Sequence, residues 1–211
     1  MTGEDPQGTA SPTAYWFLRL AIGWLGIVLP LGLLIGNIWF FAGSSQDSIS
    51  DYYYTHMRNF LVGDLCAVGV FLLFYWPNPR RDYFVDEWLT NLAGLLAICV
   101  AFCPTRESNT AYTFVNHLHS IFAGGFFITL ALIALFLFTK SSDRKRNACY
   151  IVCGIIILLC SAAALITSIL NVGSSTVLLY VLETIAVMAF GLSWLIKGWF
   201  RGWLKKSFRP A

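Results

Sequence analysis

The chain has 211 residues, of which 57% are hydrophobic and only 12% are charged, with a formal net charge of +3. A soluble domain usually carries about 25% charged residues, so this composition excludes an ordinary soluble globular protein. The apolar residues form long continuous runs instead of an alternating pattern, which argues against a β-barrel and predicts a multi-pass helical membrane protein.

The first fourteen residues, MTGEDPQGTASPTA, are acidic and rich in Pro, Gly and Thr, and they predict a disordered leader. A signal peptide has a basic start, a short apolar core and a cleavage site with small residues. Because this start is acidic and the next apolar run is long, we expect that run to remain as a first membrane span.

Six apolar segments follow one another along the chain. They cover residues 15–41, 59–76, 88–103, 117–139, 147–170 and 175–200. About 20 helical residues cross a bilayer, so the fold class predicted is all-α, a six-transmembrane-helix bundle over residues 15–200. The third segment is short. Pro30 falls within the first segment, where neighbouring helices can satisfy the carbonyl that proline frees, so we expect a kink there.

The basic residues predict the orientation of this bundle. Six spans place both termini on one side, together with all but two of the 14 lysines and arginines; Arg58 and Arg106 lie on the other side. Under the positive-inside rule both termini are cytoplasmic and the protein belongs to the cytoplasmic membrane. Residues 201–211 then form a basic, aromatic cytoplasmic tail along the inner leaflet.

The connection SISDYYYT, residues 48–55, faces outward in this topology. Tyrosine favours the membrane–water boundary, so the three tyrosines form an outer belt or simply anchor the second helix. All three histidines map to the same side. Asp64 and Glu183 lie below them at a depth of about 10 Å, counted at 1.5 Å per helical residue. An acid near the middle of the membrane costs about 2.5–3.5 kcal/mol, so such residues usually face the bundle interior and mark function.

These residues predict an outward-facing polar pocket. Its candidate members are Ser50, Asp51, Tyr54, His56, Arg58, Asp64, Asn91, His117, His119 and Glu183.

Three hypotheses compete for this pocket. The first is a zinc site made by His56, His117 and His119, which would activate water for hydrolysis. The second is an ion or proton pathway in which Asp64 and Glu183 stay protonated or share a proton. The third is a structural role through hydrogen bonds between helices. The spacing of His117 and His119 does not establish the zinc site, because residues two apart on a helix point about 200° from each other.

Other patterns are less specific. The chain has no phosphate-binding Gly-Lys-Ser loop, no G-x-S-x-G and no H-E-x-x-H, and its six cysteines predict no structural disulfide. Gly32 and Gly36 form a G-x-x-x-G pair that lets two helices approach closely. We expect membrane lipids as partners and no nucleic acid, and a homo-oligomer is left open.

The runs SISDYYYTHMRNFLVGDLCAVGVFLLFYW, NLAGLLAICVAFCPT and NHLHSIFAGGFFITLALIALFLF resemble an uncharacterised bacterial family of multi-pass proteins. More distantly, the layout is similar to the Frag1/DRAM/Sfk1 superfamily of six-span proteins. That superfamily has an ISD-type motif after the first helix, an asparagine in the third span and a histidine opening the fourth. Ser50, Asp51, Asn91 and His117 stand at the matching positions.

The superfamily resemblance implies a role in lipid remodelling or lipid organisation at membranes. The resemblance to the bacterial family implies no particular activity for this chain. Intramembrane zinc hydrolases of the ceramidase type use three histidines, an aspartate and a serine. Their paired histidines are separated by three residues, whereas His117 and His119 are separated by one. We therefore expect binding or handling of a lipid or other small amphiphile, with a metal-dependent hydrolase and an ion or proton pathway as alternatives.

Overall fold

The computed structural model describes residues 12–75, 83–105, 113–140, 143–170 and 177–207. Within these ranges the chain forms six α-helices and no strand. The helices are α1 (Pro12–Ile35), α2 (Arg58–Leu73), α3 (Tyr83–Phe102), α4 (Phe114–Leu132), α5 (Arg144–Leu170) and α6 (Leu178–Ser207). A π-helical turn, Gly36–Phe40, extends α1, and a second one, Ile133–Leu137, extends α4. A short 3₁₀ helix, Ser50–Tyr54, precedes α2.

Four of the described helices are long and apolar enough to cross a membrane. These segments are Ala14–Phe40, Phe114–Leu137, Arg144–Ser168 and Leu178–Trp199. The chain is therefore a membrane-embedded helical protein, as its composition predicts. The other two are shorter, since α2 has 16 residues and the apolar part of α3 is Glu87–Phe102. Sixteen helical residues extend about 24 Å, somewhat less than a hydrocarbon core of about 30 Å.

The helices pack as a closed ring in chain order. Each helix contacts the next one, and α6 returns to contact α1 along its length. Neighbours are antiparallel: Arg19 of α1 meets Tyr75 just after α2, whereas Gly36 meets Met57 just before α2. The ring has two ends. We call the end where α1 begins and α6 ends the terminal end, and the opposite end, which carries His56, His117 and His119, the histidine end.

Glycines set the closest contacts between helices. A Cβ atom built on Gly191 of α6 would lie 2.7 Å from the carbonyl oxygen of Gly23 of α1. A Cβ atom on Gly94 of α3 would lie 2.6 Å from the carbonyl oxygen of Gly69 of α2. Gly32 and Gly36 face Phe60 and Met57, so the prediction that this pair packs against a neighbouring helix is confirmed. Here small residues bring helix backbones into contact.

Two apolar clusters fill the ring. The cluster at the terminal end includes Leu72, Phe138, Tyr150 and Trp194, and the one at the histidine end includes Leu33, Tyr52, Leu61 and Tyr180. The outside of the ring is apolar as well: Trp39 is 82% exposed and Phe40 is 80% exposed. Soluble monomers rarely expose such surfaces, which are typical of helices that face lipid.

The predicted ends of the chain fall partly outside the described residues. Residues 1–11 of the predicted leader lie outside them, and residues 12–14 already belong to α1. The backbone of α6 continues to Ser207, so most of the predicted tail is a continuation of that helix. Residues 106–112, which include Arg106 and the acid at position 107, also lie outside the described ranges.

Candidate functional site at the histidine end

The connection between α1 and α2 folds into the ring. Ser48, Ile49 and Tyr52 are buried. The backbone N–H of Asp51 donates to Ser48 Oγ at 3.0 Å, and Thr55 Oγ1 donates to the carbonyl of Tyr52 at 2.8 Å. Serine and threonine side chains can satisfy nearby backbone groups in this way, which stabilises a tight turn without a regular helix. The turn is therefore closed by its own polar side chains while the Tyr52 ring enters the core.

Helix α6 holds this turn in place. Glu183 accepts a hydrogen bond from the backbone N–H of Ile49 at 2.6 Å. The backbone N–H of Tyr180 donates to the carbonyl of Asp47 at 2.7 Å, and its hydroxyl donates to the carbonyl of Pro30 at 2.6 Å. One turn of α6 thus binds both the connection and α1. Glu183 therefore has a structural partner in this connection.

His119 joins the same turn to the α3–α4 connection. Its Nδ1 lies 2.5 Å from the carbonyl oxygen of Cys103, and its Nε2 lies 3.0 Å from Ser50 Oγ. A carbonyl only accepts hydrogen bonds, so Nδ1 carries the proton and Nε2 accepts from the Ser50 hydroxyl. This is the geometry of a serine next to an oriented general base.

The other two histidines lie elsewhere. His117 is on the exposed side of α4, as expected for a residue two positions from buried His119 on one helix. His56 is exposed and stacks on Phe41 with ring centroids 5.0 Å apart. Among the described residues, no group of three or more His, Cys, Asp or Glu side chains is close enough to hold a metal ion. The zinc site therefore stays a prediction, and the described positions of His56, His117 and His119 do not support it.

Asp64 lies deeper, on the face of α2 that points into the ring. It is 7% exposed and lies beside the buried side chains of Leu61, Leu65 and Val68. Its Oδ2 has no protein partner. A buried polar atom without a partner costs about 1–3 kcal/mol, more when it is charged. This carboxyl group thus keeps one oxygen atom for which the described residues supply no hydrogen-bond donor.

Two features separate Asp64 from Glu183. Among the described residues, no hydrogen bond joins the two carboxyl groups. Asp51 lies close enough to act on Glu183 electrostatically, whereas no charged group in the described part of the chain acts on Asp64 in this way. Two buried hydroxyls at this end, those of Tyr52 and Thr184, also have no hydrogen-bond partner within the described residues. Burial raises the pKa of Tyr52 against a smaller opposing effect of the Gln46 backbone, so the hydroxyl stays protonated and able to donate.

The rim of the site is fixed by further polar contacts. Tyr54 donates its hydroxyl to the carbonyl of Thr105 at 2.6 Å. The guanidinium of Arg58 lies 4.2 Å from the centre of the Tyr53 ring and also bonds its hydroxyl. Asn116 forms a capping box with Thr113 at the start of α4, and its amide donates to the carbonyls of Pro104 and Thr105.

The structure brings only part of the predicted pocket together. Ser50, Asp51, His119 and Glu183 share one network, with Asp64 below it and Tyr54 and Arg58 at the rim. Asn91 does not belong with them. It precedes Cys103 by twelve residues of α3, a rise of about 18 Å toward the terminal end. Tyr52, expected in an outer belt of tyrosines or as an anchor of the second helix, is instead buried in the core. Tyr180 and Asn116 were not among the predicted site residues; of these two, only Asn116 has a local signal, the T-x-x-N pattern ahead of an apolar run.

A comparison with known family models, with curated proteins and with solved structures finds no match to this chain. The resemblance to the bacterial family and to the six-span superfamily therefore stays a prediction.

Proposed function

We propose that this chain is a six-span protein of the cytoplasmic membrane with both termini cytoplasmic. We further propose that its histidine end binds a lipid or another small amphiphile from the outer leaflet. Two observations support six spans: α2 and α3 occupy places in the same antiparallel ring as the four longer helices, and an even number of spans returns both termini to one end. The basic residues clustered at that end support a cytoplasmic location for it.

The unpartnered Oδ2 atom of buried Asp64 carries the proposed binding function. A carboxyl group in this position favours a ligand group that donates a hydrogen bond, such as a primary amine or a hydroxyl. The apolar cluster that contains Leu61 and Tyr180 packs below the polar network, so the alkyl chain of such a ligand would contact apolar side chains there. Small-molecule sites commonly combine an apolar wall with a few polar groups that fix orientation.

The test compares two short-chain lipids that differ in the donor they carry. Dioctanoyl phosphatidylethanolamine has a primary ammonium group, and dioctanoyl phosphatidylcholine has a quaternary one without N–H. Binding to the detergent-solubilised full chain is measured by native mass spectrometry. We expect the ethanolamine lipid to bind more tightly, and Asp64→Asn to weaken it about tenfold, the cost of a hydrogen bond to a charged group.

The matched control is Asp47→Asn, which removes an exposed acid at the same end. It should leave both affinities unchanged. Equal binding of the ethanolamine lipid by the native chain and by Asp64→Asn would contradict the proposal.

A second candidate function follows from the Ser50–His119 contact. We infer that this pair can transfer an acyl group: Ser50 Oγ attacks an ester carbonyl, His119 Nε2 takes the hydroxyl proton, and the same proton passes to the departing alcohol. Water then releases the acid from Ser50. The carbonyl of Cys103 orients the imidazole, a role that a carboxylate plays in other serine hydrolases.

This candidate is tested with p-nitrophenyl octanoate. Ser50→Ala and His119→Gln should abolish both hydrolysis and the acyl adduct on Ser50 detected by mass spectrometry, whereas Ser45→Ala, a change at an exposed serine of the same connection, should retain them. Hydrolysis that survives in Ser50→Ala would exclude this reaction without affecting the lipid-binding proposal.

A further inference from the structure

The terminal end contains a buried cation. Arg19 of α1 is 7% exposed, and its Nε donates to the hydroxyl of Tyr75 at 2.8 Å. Its guanidinium carbon lies 5.4 Å from the centre of the same ring. Among the side chains that the structure describes, no carboxylate lies within ion-pair distance of Arg19. A buried charge is normally paired, because leaving water without a counter-charge is costly.

Further donors at this end have no acceptor among the described residues. The hydroxyl of Tyr150 on α5 and the indole Nε1 of Trp194 on α6 are buried and have no hydrogen-bond partner. Both rings pack on Phe138, with centroid distances of 5.4 Å for Tyr150 and 5.1 Å for Trp194. Trp194 also packs at 4.8 Å on Tyr75, the ring that holds Arg19. The unpartnered donors and the buried guanidinium therefore surround one group of aromatic rings.

A second cation lies beside the same rings. Lys197 Nζ is 4.8 Å from the centre of Phe138 and 5.5 Å from the centre of Tyr150, and it donates to the carbonyl of Phe138 at 3.3 Å. Positive charge and N–H or O–H donors thus converge here from α1, α5 and α6. Arg19 lies seven residues into α1, about 10 Å from its start, and therefore closer to the terminal end than to the middle of the bundle.

We propose that Arg19, Tyr150, Trp194 and Lys197 form a binding site for a phosphate group at the terminal end. A phosphate carries several acceptor oxygens in a tetrahedral arrangement, so it can accept hydrogen bonds from donors on three different helices at once. Arginine suits such a group because its planar fork presents several N–H groups. The phosphate belongs either to an anionic lipid headgroup or to a free phosphate ion.

Simple attraction to the membrane surface does not account for this cluster. The exposed basic residues at the start of α5, Arg144 and Lys145, already serve that purpose from outside the ring. An indole N–H and a phenol buried away from water contribute nothing to surface attraction. Their position instead matches a ligand that supplies acceptors.

The experiment uses the detergent-solubilised full chain and three probes: dioctanoyl phosphatidic acid, dioctanoyl phosphatidylcholine and inorganic phosphate. Calorimetry measures each affinity. We expect saturable binding of phosphatidic acid, weakened about tenfold by Tyr150→Phe, since a hydrogen bond to a charged group is lost. Arg19→Gln should weaken it further. Lys145→Gln, which removes an exposed charge from the same end, should have no effect.

The outcomes separate the two sources of phosphate. Binding of phosphatidic acid without inorganic phosphate assigns the site to a lipid headgroup, and binding of both assigns it to the phosphate group itself. Tyr150→Phe removes one oxygen atom, and its melting temperature, measured in parallel, verifies that it folds. The proposal is overturned if neither probe binds saturably, if phosphatidylcholine binds equally well, or if Tyr150→Phe and Arg19→Gln bind as the native chain does.

Discussion

The two ends of the ring use buried polar atoms in opposite ways. At the histidine end most of them are paired with each other: Glu183 with the backbone of Ile49, and His119 with Ser50 and Cys103. Asp64 Oδ2 is left over there, together with the hydroxyls of Tyr52 and Thr184. At the terminal end the buried ionisable group is the cation Arg19, and the Tyr150 hydroxyl and the Trp194 indole N–H near it have no acceptor within the described residues. The two ends thus differ in the charge that they bury, an acid at the histidine end and a cation at the terminal end.

The same comparison distinguishes buried polar atoms that stabilise the fold from buried polar atoms that are available to a ligand. Paired atoms should stabilise the protein, so their removal should be destabilising. Unpartnered atoms should cost stability, so their replacement by apolar atoms should be neutral or stabilising. Four substitutions test this comparison, and they are ordered by the size of the expected effect.

Glu183→Ala should have the largest effect. It removes the acceptor of the buried Ile49 N–H, and we expect the free energy of unfolding in detergent to fall by about 3 kcal/mol. Glu183→Gln keeps a side-chain carbonyl at the same place and should recover most of that loss. Equal destabilisation by both substitutions would show that the hydrogen bond to Ile49 does not hold the connection.

His119→Ala should come next, with a loss of about 2 kcal/mol, because it removes two hydrogen bonds from a buried position. The matched control is His117→Ala, an exposed change two residues earlier, which should shift the free energy of unfolding by less than about 0.5 kcal/mol. If the two variants unfold alike, the network at the histidine end is not the stabilising feature described above.

Asp64→Leu should act in the opposite direction. Replacing an unpartnered buried carboxyl by an apolar side chain of similar volume should raise the free energy of unfolding of the ligand-free protein by about 1 kcal/mol. The same variant should no longer bind the ethanolamine lipid. A marked destabilisation would assign Asp64 to the paired, structural class.

Tyr150→Phe should show the smallest effect, a gain of about 0.5 kcal/mol, since it only removes a buried hydroxyl without a partner. The sign of the change in the free energy of unfolding is what tests the comparison. It is measured by chemical unfolding without added anion. With saturating phosphatidic acid the order should invert, because the ligand stabilises the native chain more than the variant. A loss of stability without ligand would show that the hydroxyl is satisfied in the native protein.

The fold could be predicted further than the site. Long apolar runs specify helices, and all six predicted helices are present in the described residues. The polar site depends on side-chain direction and on contacts far apart in sequence, which no local pattern encodes. Thus His119, and not His117, meets Ser50, a residue 69 positions away. Asn91 lies far from the network because it is near the terminal end of α3, whereas the network contacts the opposite end of that helix.

Charge counting has the same limit. In the sequence, Arg19 is only one of the basic residues on the predicted cytoplasmic side. In the structure its side chain points into the ring and contacts Tyr75. The tally of lysines and arginines depends on which loop a residue is near, whereas burial depends on which face of the helix it occupies. The buried donors at the terminal end could therefore be recognised only from the arrangement of the helices, and not from the sequence.

The hydrogen bond between Ile49 and Glu183 has a consequence for how the protein is made. The two residues are 134 positions apart, and Glu183 lies on the last helix described. At synthesis rates of about 5–20 residues per second, the Ser50–Tyr54 turn waits on the order of ten seconds for its partner to leave the ribosome. During that interval the first two helices are already made, while the turn between them lacks its hydrogen bond to α6. The histidine end is thus completed late in biogenesis, although its residues are among the first to be synthesised.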